Sequence, residues 1–188
     1  MNNLSLHAVW EFKVAQAVPI NGMISYEELT RKVVQLNNVN ISVLSLRRLV
    51  RHAITNRVFR EPQRGFVEHT RMSQLLLEDV PLNNWVGFMC NDLWLPVAHV
   101  VKAMKKWPAS EEPTETGVNL AYNQNKAWFD FLQQDEVFAT RYSLAMKAHG
   151  GGEGYSLQSV VEGYPWSELA DGATVVDVST KGSRLEPL

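Results

Sequence analysis

The chain has 188 residues, 45% hydrophobic and 20% charged, with a formal net charge of −2; that bounds it to one domain, or one with a small appendage, able to bury about 70% of its unfolded surface. The one cysteine, Cys90, excludes a disulfide framework and a thiolate zinc cluster, and five scattered histidines offer no metal-ligand spacing. The balanced charge gives no global pull toward nucleic acid or anionic membrane, no apolar run nears the roughly 20 residues of a bilayer span, and the N-terminus lacks a secretion signal, so a soluble cytoplasmic protein is expected.

Apolar residues at 6, 9, 10, 14, 17 and 18 predict a helix over Leu4–Val18, stopped by Pro19. Ser25-Tyr26-Glu27-Glu28 reads as a capping box opening a second helix to about Gln35, with Leu29, Val33 and Leu36 inward. Ser42 is the predicted cap of a third helix, Val43–Thr55. Leu46, Leu49, Val50, Ala53 and Ile54 lie on its inner face, and Arg47, Arg48 and Arg51 on the other. Val58-Phe59-Arg60 and Phe66-Val67-Glu68 predict a hairpin around Glu61–Gly65, and Thr70 caps a short helix through Leu77. Three helices, a hairpin and a helix in that order predict a winged helix. The arginine face would then either enter a DNA groove or serve as a solvated or protein-binding face. The chain shows no basic excess, so no nucleic-acid partner is expected.

From Pro81 the chain stays helical. Trp85, Phe88, Met89, Trp94, Val97, Val100, Val101 and Met104 make an aromatic and methionine-rich stripe that Pro96 should kink or break. Residues 109–126 read as a polar loop, and Lys126–His149 as a helix or helix pair with Phe138, Tyr142 and Met146 on one face. After the Gly150–Gly152 break come a short helix through Val160 and Val161, then Tyr164-Pro165-Trp166. Thr174–Val178 alone reads as a buried parallel strand.

Several segments, in this order and spacing, carry a resemblance. They are Arg48–Phe59 at the end of the winged-helix pattern, Glu68-His69-Thr70, Trp107-Pro108-x-Ser110-Glu111-Glu112-Pro113-x-Glu115-Thr116-Gly117, Gly152-Glu153-Gly154-Tyr155 and Gly163-Tyr164-Pro165-Trp166. The sequence resembles the N-terminal half of S-adenosylmethionine-dependent small-molecule O-methyltransferases of the plant caffeate/flavonoid type, and most of all their fungal secondary-metabolism relatives. The resemblance implies a mainly α protein. A winged-helix dimerisation-type domain with a β-hairpin wing (1–80) precedes a helical substrate-cap region (81–170) and a one-strand Rossmann remnant (171–188). The family's cofactor turn reads Val-Val-Asp-Val-Gly-Gly-x-x-Gly. Here Val175–Val178 match it, but Ser179, Thr180 and Ser183 stand where its glycines should be. The expectation is therefore a truncated relative without cofactor or methyl-transfer activity.

Two roles stay open. One is a cap and dimerisation module that binds a hydrophobic small molecule and pairs with itself or with a full-length relative. The other is a cofactor-independent cyclase, dehydratase or pericyclase that orients a polyketide-type intermediate. Met89, Asn91, Trp94, Phe138, Tyr142 and Met146 match the family's substrate-pocket positions, and His69 and His99 are the candidate proton donors or acceptors. The same aromatic and methionine stripe is more often core than pocket, and a lone helical histidine more often a structural residue.

Overall fold

In the computed structural model, which describes residues 2–151 and 157–176, the first predicted helix is broken in two, α1 (Asn2–Glu11) and α2 (Val14–Ala17). Lys13 sits between them in the left-handed region at φ 50°, a conformation costing a side-chain-bearing residue about 1 kcal/mol. Asn37 offsets this by donating its amide to the Phe12 carbonyl (2.7 Å) and to Val33 O (2.9 Å). Val18, extended ahead of Pro19, ends α2 as expected.

A strand absent from the sequence reading follows, β1 (Met23–Ser25). It pairs antiparallel with β3 (Phe66–His69), Ile24 opposite Val67, and β3 pairs on its other side with β2 (Phe59–Arg60). Alternation buries Ile24, Phe59 and Val67 on the helix-facing side. Between the strands lie α3 (Tyr26–Asn37) and α4 (Val43–Thr55), capped as predicted: Ser25 accepts the Glu28 N–H at 3.2 Å and Ser42 the Ser45 N–H at 3.1 Å. Leu29, Val33, Leu46, Val50 and Ala53 are fully buried, but Leu36, expected inward, is exposed beside the α1–α2 break. A true capping box instead opens α5 (Arg71–Glu78), where Thr70 and Ser73 bond reciprocally.

Arg51 does not stay on an open basic face. Its guanidinium donates twice to Glu61, Nε at 2.9 Å and Nη2 at 2.7 Å, and lies 5.6 Å over the Tyr26 ring. Glu61 also accepts the Gly65 N–H (2.7 Å) and the Tyr26 hydroxyl (3.3 Å), closing the hairpin loop. The Arg51 bonds, with help from Gly65, hold the Glu61 carboxyl at about 2, below its ordinary 4.5; burial and the Glu61 charge push Tyr26 up to about 12. A carboxyl whose value is lower folded than unfolded stabilises fully above pH 4.5 and loses that contribution as pH falls toward 2. Denaturant titrations of the native chain and Glu61→Gln should therefore differ most near neutrality and converge in acid. A constant gap across that range would show that Glu61 is not the linked group.

The core does not stop at residue 80. α6 (Val80–Gly87), opened by Asp79 accepting the Leu82 N–H at 2.9 Å, packs on α1 and α5. Its Val86, and Cys90 beyond it, join the cluster of Val9, Leu29, Leu46 and Val67. A π-helical turn, Phe88–Asp92, then separates α6 from α7 (Trp94–Lys106), with Leu93 N–H reaching back to Phe88 O at 2.9 Å. The helix break therefore comes before Pro96. That proline sits in the first turn of α7, where a missing N–H costs nothing. The expected stripe divides accordingly: Phe88 is buried, whereas Trp94, Val97, Val101 and Met104 are all exposed on α7. These four are surface, not core.

The predicted 109–126 loop contains a helix, α8 (Gly117–Ala121), started by a Thr116/Asn119 capping box and packed along α7. Asn119 also donates its amide to Lys126 O at 2.9 Å, closing the turn into α9 (Trp128–Leu132). α10 (Glu136–Gly150), capped by Asp135, lies along α6. All of this belongs to one compact unit, Met1–Gly151.

The second unit is Gly152–Leu188. Its α11 (Leu157–Gly163) is followed by a 3-10 turn, Trp166–Glu168, and the Trp166 indole donates to Val160 O at 3.0 Å. Thr174–Val176 form no strand. Val175 and Val176 are 60% and 75% exposed, against the buried strand expected there, while Asp177 and Val178 lie outside the described residues.

Candidate functional site

The π-helical turn does more than join two helices. Its extra residue shifts the side-chain register, a feature frequent at functional sites, and delivers Asp92, only 5% exposed, to the inner side of the bend. Arg141, from the middle of α10, meets it with Nη1 2.6 Å from Oδ1. The same oxygen accepts from Asn91 Nδ2 at 2.8 Å, and the Tyr122 hydroxyl donates to Asp92 O at 2.7 Å. Burial pushes the Tyr122 phenol above its usual range; the Asp92 charge adds to this and Arg141 opposes it, so the hydroxyl stays a donor. The Arg141 guanidinium also lies 5.0 Å over the Trp10 ring, and the Trp10 indole donates to Asn83 Oδ1 at 3.2 Å. One ion pair thus ties α1, α6, the π turn and α10 together. Among the described residues, Asp92 Oδ2 is buried with no hydrogen-bond partner.

This pair borders a cleft of about 430 Å³ walled by Tyr122, Phe131 and Phe138. Behind it the rings continue. Trp128 meets Phe138 at 5.6 Å and Tyr142 at 5.7 Å, both edge-on, and Tyr142 meets Phe88 edge-on at 5.4 Å. Such pairs contribute about 1 kcal/mol each beyond burial and fix ring orientation. The result is a rigid aromatic wall with a polar anchor at one end, the makeup of a small-molecule site.

Of the residues singled out from sequence, Asn91 and Phe138 line this cleft, and Tyr142 joins Phe138 through Trp128. Met146 is half-buried further along α10. Met89 and Trp94 are exposed and do not line the cleft. The histidines are placed apart from it and from each other. His69, 4% exposed, has Nδ1 2.8 Å from Ser73 Oγ and Nε2 3.2 Å from Val18 O, pinning β3 to the end of α2; burial lowers its basicity. His99 Nδ1 lies 2.9 Å from Leu95 O of its own helix. His69 thus has both ring nitrogens engaged within the fold, and His99 has Nδ1 engaged on its own helix.

Asp92, Arg141 and Tyr122 were missed by sequence reasoning. One legible signal existed: Arg141 is three residues from Phe138 and next to Tyr142, a charge on an apolar helix face, and Asp92 lies likewise within an apolar stretch. Burying a charge is costly unless it is paired, so each implied a partner. Among the described residues no group of three His, Cys, Asp or Glu could hold a metal, and no helix is long and apolar enough to cross a membrane.

No protein-family model matches the chain. It is 34% identical over 95% of its length to the chlorophenol O-methyltransferase of Trichoderma longibrachiatum, spanning 38% of that protein. Other fungal O-methyltransferases match at 30–32% identity over 93–95% of the chain. The chain thus spans about two fifths of the length of the curated relatives it matches. Among solved structures, OxaC in complex with sinefungin and meleagrin superposes with a TM-score of 0.69 at 20% identity, covering 89% of this chain and 40% of that one. A structure described as a pericyclic reaction enzyme superposes at 0.62 and 14% identity, covering 76% and 36%. At these identities the structural likeness shows the fold alone.

Proposed function

We propose, from its likeness to fungal O-methyltransferases, that the chain works as a substrate-facing and dimerising module of secondary metabolism. It binds a hydrophobic aromatic small molecule against the rings of α9 and α10 without itself transferring a methyl group. The observation that carries this is the preorganised wall of Phe138, Trp128 and Tyr142 beside the Asp92–Arg141 anchor. In this reading residues 1–80 are the winged-helix dimerisation element, with β2 and β3 as wing. The exposed apolar face of α7 is then one surface that a second copy or a full-length relative covers.

S-adenosylmethionine is the cofactor that the family implies, and the described residues do not fit it. Their only strands form one antiparallel sheet within residues 23–69, and Thr174–Val176 pair with nothing. In sequence the glycine turn is replaced by Ser179, Thr180 and Ser183. These facts support the reading that the described residues do not by themselves hold the cofactor. A second reading, cofactor-independent cyclisation, dehydration or a pericyclic step, draws on the neighbour described as a pericyclic reaction enzyme, since a rigid aromatic cleft can lower such barriers by orientation.

A chlorophenol, suggested by the relative named for it, is the probe. Titrated into the native chain and followed by NMR, it should perturb Phe138, Tyr142 and Trp128 saturably. Phe138→Ala should weaken binding about tenfold through lost ring contact, and Tyr142→Ala less, since Tyr142 only supports the wall through Trp128. Unchanged spectra at millimolar probe, or shifts confined to other surfaces, would refute the site. Turnover of a pathway intermediate abolished in His69→Ala or His99→Ala, with the fold kept, would favour the second reading.

A further inference from the structure

The cleft bordered by Asp92 has an unusual electrostatic makeup. Its charged lining consists of two carboxylates, Asp92 and Asp135, against one guanidinium, Arg141. Arg141 and Asn91 occupy Asp92 Oδ1, and Asp135 Oδ1 is used in accepting the Phe138 N–H at 3.0 Å. Of the two Oδ2 atoms left, that of Asp135 belongs to an exposed residue, whereas that of Asp92 is buried on a residue 5% exposed and has no hydrogen-bond partner among the described residues. An unpaired buried carboxylate oxygen is costly, and the cost is recovered when a donor reaches it. The other lining is three rings, Tyr122, Phe131 and Phe138, whose faces attract cations.

From this combination we infer that the cleft is a subsite for a protonated amine carried on an apolar or aromatic body. Its ammonium donates to Asp92 Oδ2, and its body lies on Phe131 and Phe138. The inference rests on the aromatic wall being a binding face and names the chemical class that the polar end prefers. A neutral hydroxyl could also donate to Oδ2, but it gains nothing from the excess negative charge or the ring faces. A carboxylate or phosphate is repelled by the same excess. Oδ2 is covered from solvent, so a ligand must displace a side chain to reach it. Among the lining side chains, Gln134 is exposed and held only by its amide donating to Asp130 O at 3.2 Å, so it is free to move.

The test pairs two probes of equal shape, 2-phenylethylammonium and 2-phenylethanol, titrated calorimetrically into the full chain at low salt. The ammonium should bind about tenfold more tightly, and its advantage should shrink as salt rises. Asp92→Asn should abolish the advantage. Because that variant strands Arg141 and can unfold, Asp135→Asn is the second arm: asparagine caps a helix as well as aspartate, so the fold stays while the cleft loses a charge. The ammonium's advantage should then fall severalfold, with the bound probe still giving NMR contacts to Phe131 and Phe138. Equal binding of the two probes, or an advantage untouched by Asp135→Asn and insensitive to salt, overturns the inference. If the alcohol and a chlorophenol bind at the rings while the ammonium has no advantage, the inference alone fails; if none of the three binds there, the functional reading fails with it.

Discussion

Arg141→Met should destabilise the protein by about 3–5 kcal/mol, the cost of leaving a buried carboxylate without its partner. Asp92 and Arg141 have side chains only 7% and 18% exposed, and their contact is a 2.6 Å bond between α10 and the π turn. Removing the guanidinium leaves the buried charge with no countercharge and only the Asn91 amide on Oδ1, in a site where Oδ2 has no partner among the described residues, and it takes away the cation over Trp10. The double change Asp92→Leu with Arg141→Met should regain most of that loss, since an apolar pair of similar volume replaces a buried ion pair at little net cost. Urea unfolding of the two single variants and the double variant gives the coupling directly. A loss below about 1 kcal/mol in Arg141→Met is what an exposed, screened pair would give, and it would remove the polar anchor from the candidate site.

Gly87→Ala should also destabilise, although alanine favours a helix over glycine by about 1 kcal/mol. Gly87 ends α6 against the Trp10 indole, and a Cβ built there would lie 2.4 Å from Trp10 Cζ2 and 2.5 Å from Cε2. Trp10 cannot simply yield, because its indole bonds to Asn83 and its ring carries Arg141. Overpacking of this kind costs about 1–3 kcal/mol, enough to reverse the propensity gain. Trp10→Leu in the same chain frees the space, so Gly87→Ala should be neutral or stabilising in that background. Stabilisation by Gly87→Ala in the native background would mean that the α1–α6 contact has room for a methyl group beside Trp10.

The contrast between what sequence revealed and what it hid has physical causes. α3, α4 and α5 were readable because each combines a Ser or Thr cap with an apolar period of 3.6 and lies against one core, so local preference and burial agree. β1 was not readable, since Met23-Ile24-Ser25 is too short to show alternation and exists only because β3 offers it an edge. The α1–α2 break was equally hidden: Lys13 has no intrinsic reason to turn left-handed, and the Asn37 bonds that support it come from another helix. On α7 the apolar period was real but its interpretation failed. A stripe in sequence does not say whether a neighbour covers it, and here Val97, Val101 and Met104 are uncovered.

The candidate site divides in the same way. Phe138 and Tyr142 were found because ring residues four apart share a helix face. Asp92 and Arg141 are 49 residues apart, and no periodicity links them. Their pairing depends on the π turn, whose single extra residue has no signature in Phe88-Met89-Cys90-Asn91-Asp92. His69 stood out chemically, yet the fold spends both of its nitrogens on Ser73 and Val18.

The most direct test is a calorimetric titration of the full chain with a chlorophenol, run with and without saturating S-adenosylmethionine. Heat that saturates at one site, is unchanged by the sulfonium compound, and is matched by no heat from that compound alone is the expected result. Stoichiometric uptake of S-adenosylmethionine, or phenol binding that begins only once it is present, would contradict a ligand site that stands without the cofactor.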